Sequence, residues 1–196
     1  MQNDNIKHKI TCRQSICIKR GRGAISNRAG RFESLVTEEV DDGWNNLDMF
    51  PKKLTTSFQI DNSRTVISNN QSPDLAFDIS INPYRGCEHG CIYCYARPTH
   101  SYLGLSPGQD FESQIFVKRA ASSILKQQLI HPNYKCKVLA LGTNTDPYQP
   151  IERKLKITRD LLTVLSEFKH PITIITKSDL IIRDIDILKP MAKLNL

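Results

Sequence analysis

The chain has 196 residues, 39% hydrophobic and 24% charged, with 27 Lys and Arg against 20 Asp and Glu for a net charge of +7. It holds no apolar run of the roughly 20 residues that a bilayer-spanning helix needs, and its start, Met1-Gln2-Asn3-Asp4-Asn5-Ile6-Lys7, lacks the apolar centre of a secretory signal. Neither a membrane anchor nor a disulfide scaffold is therefore expected, and the expectation is a cytoplasmic protein with reduced cysteines.

Residues 1–72 read as a polar arm. Basic residues are densest at Lys19-Arg20-Gly21-Arg22-Gly23 and continue to Arg28 and Arg31, and acids gather at Glu38-Glu39-Val40-Asp41-Asp42. No helical or strand period runs through it, which predicts a largely irregular arm with short ordered pieces. The basic stretch suits a solvated arm and a nucleic-acid contact alike. Cys12 and Cys17 have no His or Cys close by in sequence and read as ordinary thiols.

From residue 73 onward, in a core unit spanning 73–196, strands alternate with helices. Phe77-Asp78-Ile79-Ser80-Ile81 alternates apolar and polar positions and runs directly into a loop that holds three cysteines, Cys87, Cys91 and Cys94, at C-x3-C-x2-C spacing. Gly86 and Gly90 give that loop the backbone freedom to wrap three sulfurs around one centre. Three thiolates suit a [4Fe-4S] cluster with one iron left open to bind a small molecule. A structural zinc site made by the three cysteines and His89 is the competing reading. It is weakened by the single residue separating His89 from both Cys87 and Cys91.

A helix is expected around Arg119–Leu129 with Ile124, Leu125 and Leu129 inward. A second buried strand, Lys137-Val138-Leu139-Ala140-Leu141-Gly142, follows. It leads into a polar, proline-stiffened loop from Gly142 to Glu152 that contains Thr143, Asn144 and Asp146. Leu155, Thr158, Leu161, Leu162, Leu165 and Phe168 then make the apolar stripe of a crossover helix, with Lys154, Lys156, Arg159 and Glu167 outward. The β-branched strand Ile172-Thr173-Ile174-Ile175-Thr176 places Lys177 past its carboxyl end, and a last helix covers Ile182–Met191 with Ile185 and Leu188 inward. Strands repeatedly followed by helices predict an α/β fold of right-handed parallel βα units. In barrels of such units the active site lies at the carboxyl ends of the strands, where the cysteine loop falls.

The cysteine spacing, with Tyr93 before the last cysteine, resembles the signature of the radical S-adenosylmethionine (SAM) enzymes. The resemblance implies a partial (β/α)6 TIM-type barrel, a [4Fe-4S] cluster on Cys87, Cys91 and Cys94, and SAM chelated at the open iron and cleaved reductively to a 5′-deoxyadenosyl radical. It also implies an electron donor such as a flavodoxin or ferredoxin. By the same resemblance Thr143, Asn144 and Asp146 stand where family members contact the SAM amino group, although the usual Gly-Gly-Glu is absent here. Lys177 stands where photoproduct-lyase-like members meet the SAM carboxylate, and Tyr93 and Tyr95 pack near cluster and adenine. For each tyrosine, plain core packing is the alternative.

A narrower resemblance rests on Gly21-Arg22-Gly23-Ala24 with Ser26-Asn27, Asp41-Asp42-Gly43-Trp44, Asn82 through Cys91, and Gly142 through Glu152. These are similar to a bacterial subgroup of radical SAM proteins related to spore photoproduct lyase, whose substrate is open. At roughly 30 residues per βα unit the chain accommodates about three units, against six in the family. The expectation is an amino-terminal portion, poorly active alone, whose partners include a separate chain carrying the rest of the barrel. The alternative function is a zinc-stabilised nucleic-acid-binding module without catalysis, and the role of Cys136 is open.

Overall fold

A computed structural model describes residues 21–32, 54–75 and 77–196. Cys12, Cys17, the acidic run at 38–42 and Asp41-Asp42-Gly43-Trp44 lie outside the described residues. The architecture is mixed α/β, with two small sheets.

The elements run β1 (Ser57–Ile60), β2 (Ile67–Asn69), β3 (Ile79–Ile81), β4 (Tyr84–Arg85), α1 (Gln109–Ser113), β5 (Gln114–Val117), α2 (Ala121–Ile130), β6 (Leu139–Leu141), α3 (Glu152–Leu155), α4 (Ile157–Glu167), β7 (Ile172–Ile174) and α5 (Ile185–Lys193). One sheet has the order β2-β3-β6-β7, with β3, β6 and β7 parallel and β2 antiparallel on the β3 edge. The other, β1-β5-β4, pairs β5 parallel to β1 and antiparallel to β4.

The three parallel strands are those expected from sequence, each shorter by two or three residues. Their order follows from physical need. Ile79, Ile81, Leu139 and Leu141 are buried, and a strand covered on both faces must have neighbours and helices around it. On one side the cover comes from α4, which buries Ile157, Leu161, Leu162, Val164 and Leu165. Each such side chain contributes about 1.5–3 kcal/mol relative to exposure. The α2 helix adds Ala121, Leu125 and Leu129.

Within residues 54–72 the chain forms β1 and β2, and Val66 is buried in the core. Four expectations need correction. The crossover helix is broken in two at Lys156, whose φ of 55° interrupts the helical ladder, and Phe168 lies exposed past its end. Arg159 is no free outward charge, for it meets Asp184 at 2.9 Å and Asp186 at 2.6 Å. Ile185 is exposed, and Met191 is the buried residue of α5. Finally, β7 is only half buried, because among the described residues it has a strand neighbour on the β6 side alone. Among the described residues no helix is long and apolar enough to cross a membrane.

Candidate functional site

Because β3, β6 and β7 are parallel neighbours, the segments that leave their carboxyl ends share one rim. The cysteine loop follows β3 and the short β4, the 142–151 loop follows β6, and the 175–178 segment follows β7.

Tight turns shape the cysteine loop. Gly86 and Gly90 have φ of 79° and 59°, a region open to glycine at little cost. The N–H of Gly90 donates to the Cys87 carbonyl at 3.2 Å, and that of Cys94 donates to Cys91 at 3.2 Å. Arg97 donates to the Cys91 carbonyl through Nε at 3.0 Å and Nη2 at 2.9 Å. Gln149 of the next loop accepts from the Glu88 N–H at 3.0 Å and donates to the Gly86 carbonyl at 3.4 Å.

Cys87 is buried, and Cys94 packs against the cluster it forms with Ala96 and Phe111. Burial pushes the Cys87 thiol up to about 11, partly offset by the nearby backbone N–H groups of Asp146 and His89. Cys91 Sγ receives the Lys177 ammonium at 2.8 Å. As placed, no three His, Cys, Asp or Glu side chains among the described residues stand close enough together to hold a metal ion. The chemistry of the donor set nevertheless fits an iron-sulfur cluster. Three free thiols share one loop, which is the ligand type and number that a cluster with one open iron takes.

The structure brings the remaining predicted residues to this rim. Tyr93 and Tyr95 are 75% and 73% exposed, so neither is core packing. The Tyr95 hydroxyl donates to the Thr143 carbonyl at 2.5 Å and to Asn144 Oδ1 at 3.3 Å, joining the cysteine loop to the β6 loop. Lys177 lies 4.6 Å from the centre of the Tyr93 ring and also donates to its hydroxyl. Contact with Cys91 and then Tyr93 holds the Lys177 ammonium above its ordinary pKa. Thr143 Oγ1 accepts from Asn82 Nδ2 at 3.1 Å, while Asn82 Oδ1 accepts from the Asn144 N–H at 2.8 Å.

Asp146 is committed inside the protein. Oδ1 accepts from Tyr148 N–H at 2.8 Å and Thr176 Oγ1 at 2.7 Å, and Oδ2 accepts from Lys177 N–H at 2.8 Å. His89 Nε2 stands 3.4 Å from the same Oδ2. One carboxylate thus ties the β6 loop to the 175–178 segment, with His89 of the cysteine loop close by. A cavity of about 540 Å³ opens between them, lined by His89, Tyr148, Pro150, Arg153, Lys177, Ser178 and Asp179.

The sequence reading assigned no role to Gln149, Asn82 or Glu112. Glu112 is fully buried at the end of α1. Its carboxylate accepts from the backbone N–H groups of Arg22 at 2.5 Å, Gly23 at 3.1 Å and Ala24 at 2.7 Å, and from Arg97 Nη2 at 2.5 Å. The Gly21–Ala24 segment is therefore not a free basic arm but a strap fastened beside the cysteine loop. Asn27 extends the fastening through paired hydrogen bonds to Asp110, both 3.0 Å. The only signal in the sequence was the Gly-Arg-Gly-Ala motif itself.

No protein-family model matches the chain, and no solved structure matches it. Over 119 residues it is 40% identical to an uncharacterized protein of Mycobacterium tuberculosis and to one of Mycobacterium bovis, covering 61% of this chain and 35% of each relative. Over 114 residues it is 32% identical to an uncharacterized protein of Methanocaldococcus jannaschii, covering 58% of this chain and 40% of that one. The chain thus spans two fifths or less of the length of these relatives, whose names state no activity.

Proposed function

We propose that the chain is the cofactor-binding portion of a radical SAM enzyme, with Cys87, Cys91 and Cys94 holding a [4Fe-4S] cluster. The observation that carries this reading is the convergence on one rim of the three-cysteine loop, the β6 loop and the β7 segment, fastened to one another by Tyr95, Asp146 and Lys177. The three parallel strands then serve as the first units of a six-unit partial barrel. With SAM at the open iron, such a cluster supplies the electron that cleaves SAM to a 5′-deoxyadenosyl radical, drawn from a flavodoxin or ferredoxin.

This chain's own residues place and shield that chemistry. Lys177 presents a cation at the rim for the SAM carboxylate, and Tyr93 and Tyr95 offer exposed rings beside it. Thr143 and Asn144 are held at the rim by Asn82 for the amino group. Asp146 acts by positioning, since both its oxygens are used within the protein. His89 faces Asp146, which argues against the four-ligand zinc reading.

Anaerobic reconstitution with iron and sulfide tests this. The expected result is a brown chromophore and an electron paramagnetic resonance signal that SAM perturbs, with iron uptake sharply reduced in Cys87→Ala, Cys91→Ala and Cys94→Ala. Stoichiometric zinc with no iron overturns it.

A further inference from the structure

A second cavity, of about 330 Å³, lies against the same rim, lined by Ser68 of β2, Asn82 and Tyr84 after β3, Lys118 after β5, and Asn144 and Thr145 after β6, with Arg85, His100 and Tyr102 also on its walls. No lining residue is an Asp or a Glu. Its size is at the lower end of ordinary ligand sites.

Lys118 is the unusual group. It is 8% exposed, and its ammonium makes no hydrogen bond to a described residue. Asp61 attracts it and Arg85 repels it. Asp61 is already engaged, accepting from Arg85 Nε at 2.8 Å and from Ser63 Oγ at 2.6 Å. Lys118 thus has no ion pair of its own among the described residues, and it lines the cavity together with Arg85. A desolvated ammonium is costly unless an anion compensates it.

The rim supplies a second, independent element. Tyr102 lines the cavity, is largely exposed, and pairs with the Phe32 ring at 5.1 Å. The Arg31 guanidinium lies 6.0 Å from the centre of that ring. Exposed rings next to a cationic pocket suit a molecule that carries both an anion and a flat base.

We propose that this cavity takes the phosphate of a nucleotide, free or within a single strand, with Lys118 and Arg85 on the phosphate and Tyr102 on the base. Asn144 links it to the cysteine loop, because the residue lines the cavity and accepts from Tyr95. That the bound nucleotide is the substrate of the cysteine centre rests on the function proposed above; the binding itself does not.

The test is calorimetric titration of the full chain, without iron, with adenosine 5′-monophosphate, adenosine, and a short single-stranded oligonucleotide. At least one phosphate-bearing probe should bind about tenfold or more tighter than adenosine and lose that margin in Lys118→Met. Arg85→Met, altering a side chain half exposed to solvent, should act in the same direction and serves where Lys118→Met does not fold. Binding by the monophosphate marks a free nucleotide, and binding by the oligonucleotide alone marks a strand. The proposal is overturned if neither phosphate-bearing probe binds, if adenosine binds as tightly, or if the folded variants bind as the wild type does. Iron uptake is measured on the same variants and should not change. Phosphate-dependent binding by a chain that takes up no iron leaves this site standing and removes the cluster.

Discussion

The cysteine loop has two unlike flanks. On the inner flank Cys87 is buried, Arg97 reaches the fully buried Glu112, and the strap of residues 21–24 lies against Gly90. On the outer flank Tyr93 and Tyr95 are 75% and 73% exposed, and their polar contacts run over the surface to the β6 loop and Lys177. The contrast teaches that one loop can be a fixed wall on one side and an open contact surface on the other. The loop's own buried ion pair, Arg97 with Glu112, lies on the wall.

The sharpest way to break the comparison is to empty the wall of its anion. Glu112→Ala leaves the largely buried Arg97 charge without its counter-ion and three backbone donors without their acceptor. The expected loss is about 3–5 kcal/mol in chemical denaturation, the usual cost of removing one partner of a buried pair. Glu112→Gln keeps an acceptor oxygen and should lose less. If alanine and glutamine cost the same, the charge is not what fastens the strap.

A gentler test moves the strap without touching its anion. A Cβ on Gly23 would stand 1.9 Å from the Gly90 carbonyl oxygen and 3.0 Å from Ile92 Cγ2. The first of these is backbone and cannot swing away, so strap or loop must shift, at about 1–3 kcal/mol. In Gly23→Ala the strap lifts off the Gly90–Ile92 side, and alkylation of Cys91 in the iron-free chain should accelerate relative to wild type. An unchanged rate would show that the strap does not cover that flank.

Much of this arrangement was legible in the sequence, and the missing part has a common cause. The strands announce themselves in three ways, β3 by alternation of apolar and polar residues, β6 by an unbroken apolar run and β7 by β-branched residues, and the cysteine spacing states its loop outright. By contrast, β1 is exposed at all four of its residues, β2 at two of three. Neither carries a burial pattern for a period to detect. The helix break at Lys156 was hidden because the apolar stripe passes through it, with Leu155 and Ile157 packing on either side. The strap was least legible of all. Glu112 meets residues some 90 positions away, and it meets their backbone N–H groups, which every non-proline residue carries. Gly23 marks the close approach, but only the folded chain shows what it approaches.

The outer flank should respond weakly. Tyr95→Phe keeps the exposed ring and removes only the hydroxyl that donates to the Thr143 carbonyl at 2.5 Å and to Asn144 at 3.3 Å. A hydrogen bond of this kind contributes about 0.5–1.5 kcal/mol net, and at an exposed site water takes over the freed acceptors. The expected change in global stability is therefore below about 1 kcal/mol. Asn82 still accepts from the Asn144 N–H at 2.8 Å, so the β6 loop keeps its inner anchor. Faster amide hydrogen exchange should appear locally, around residues 143–145, with the strap and α1 unaffected. A global loss near that of Glu112→Ala would mean that the open surface is as rigidly built as the wall, and the division between the two flanks would fail.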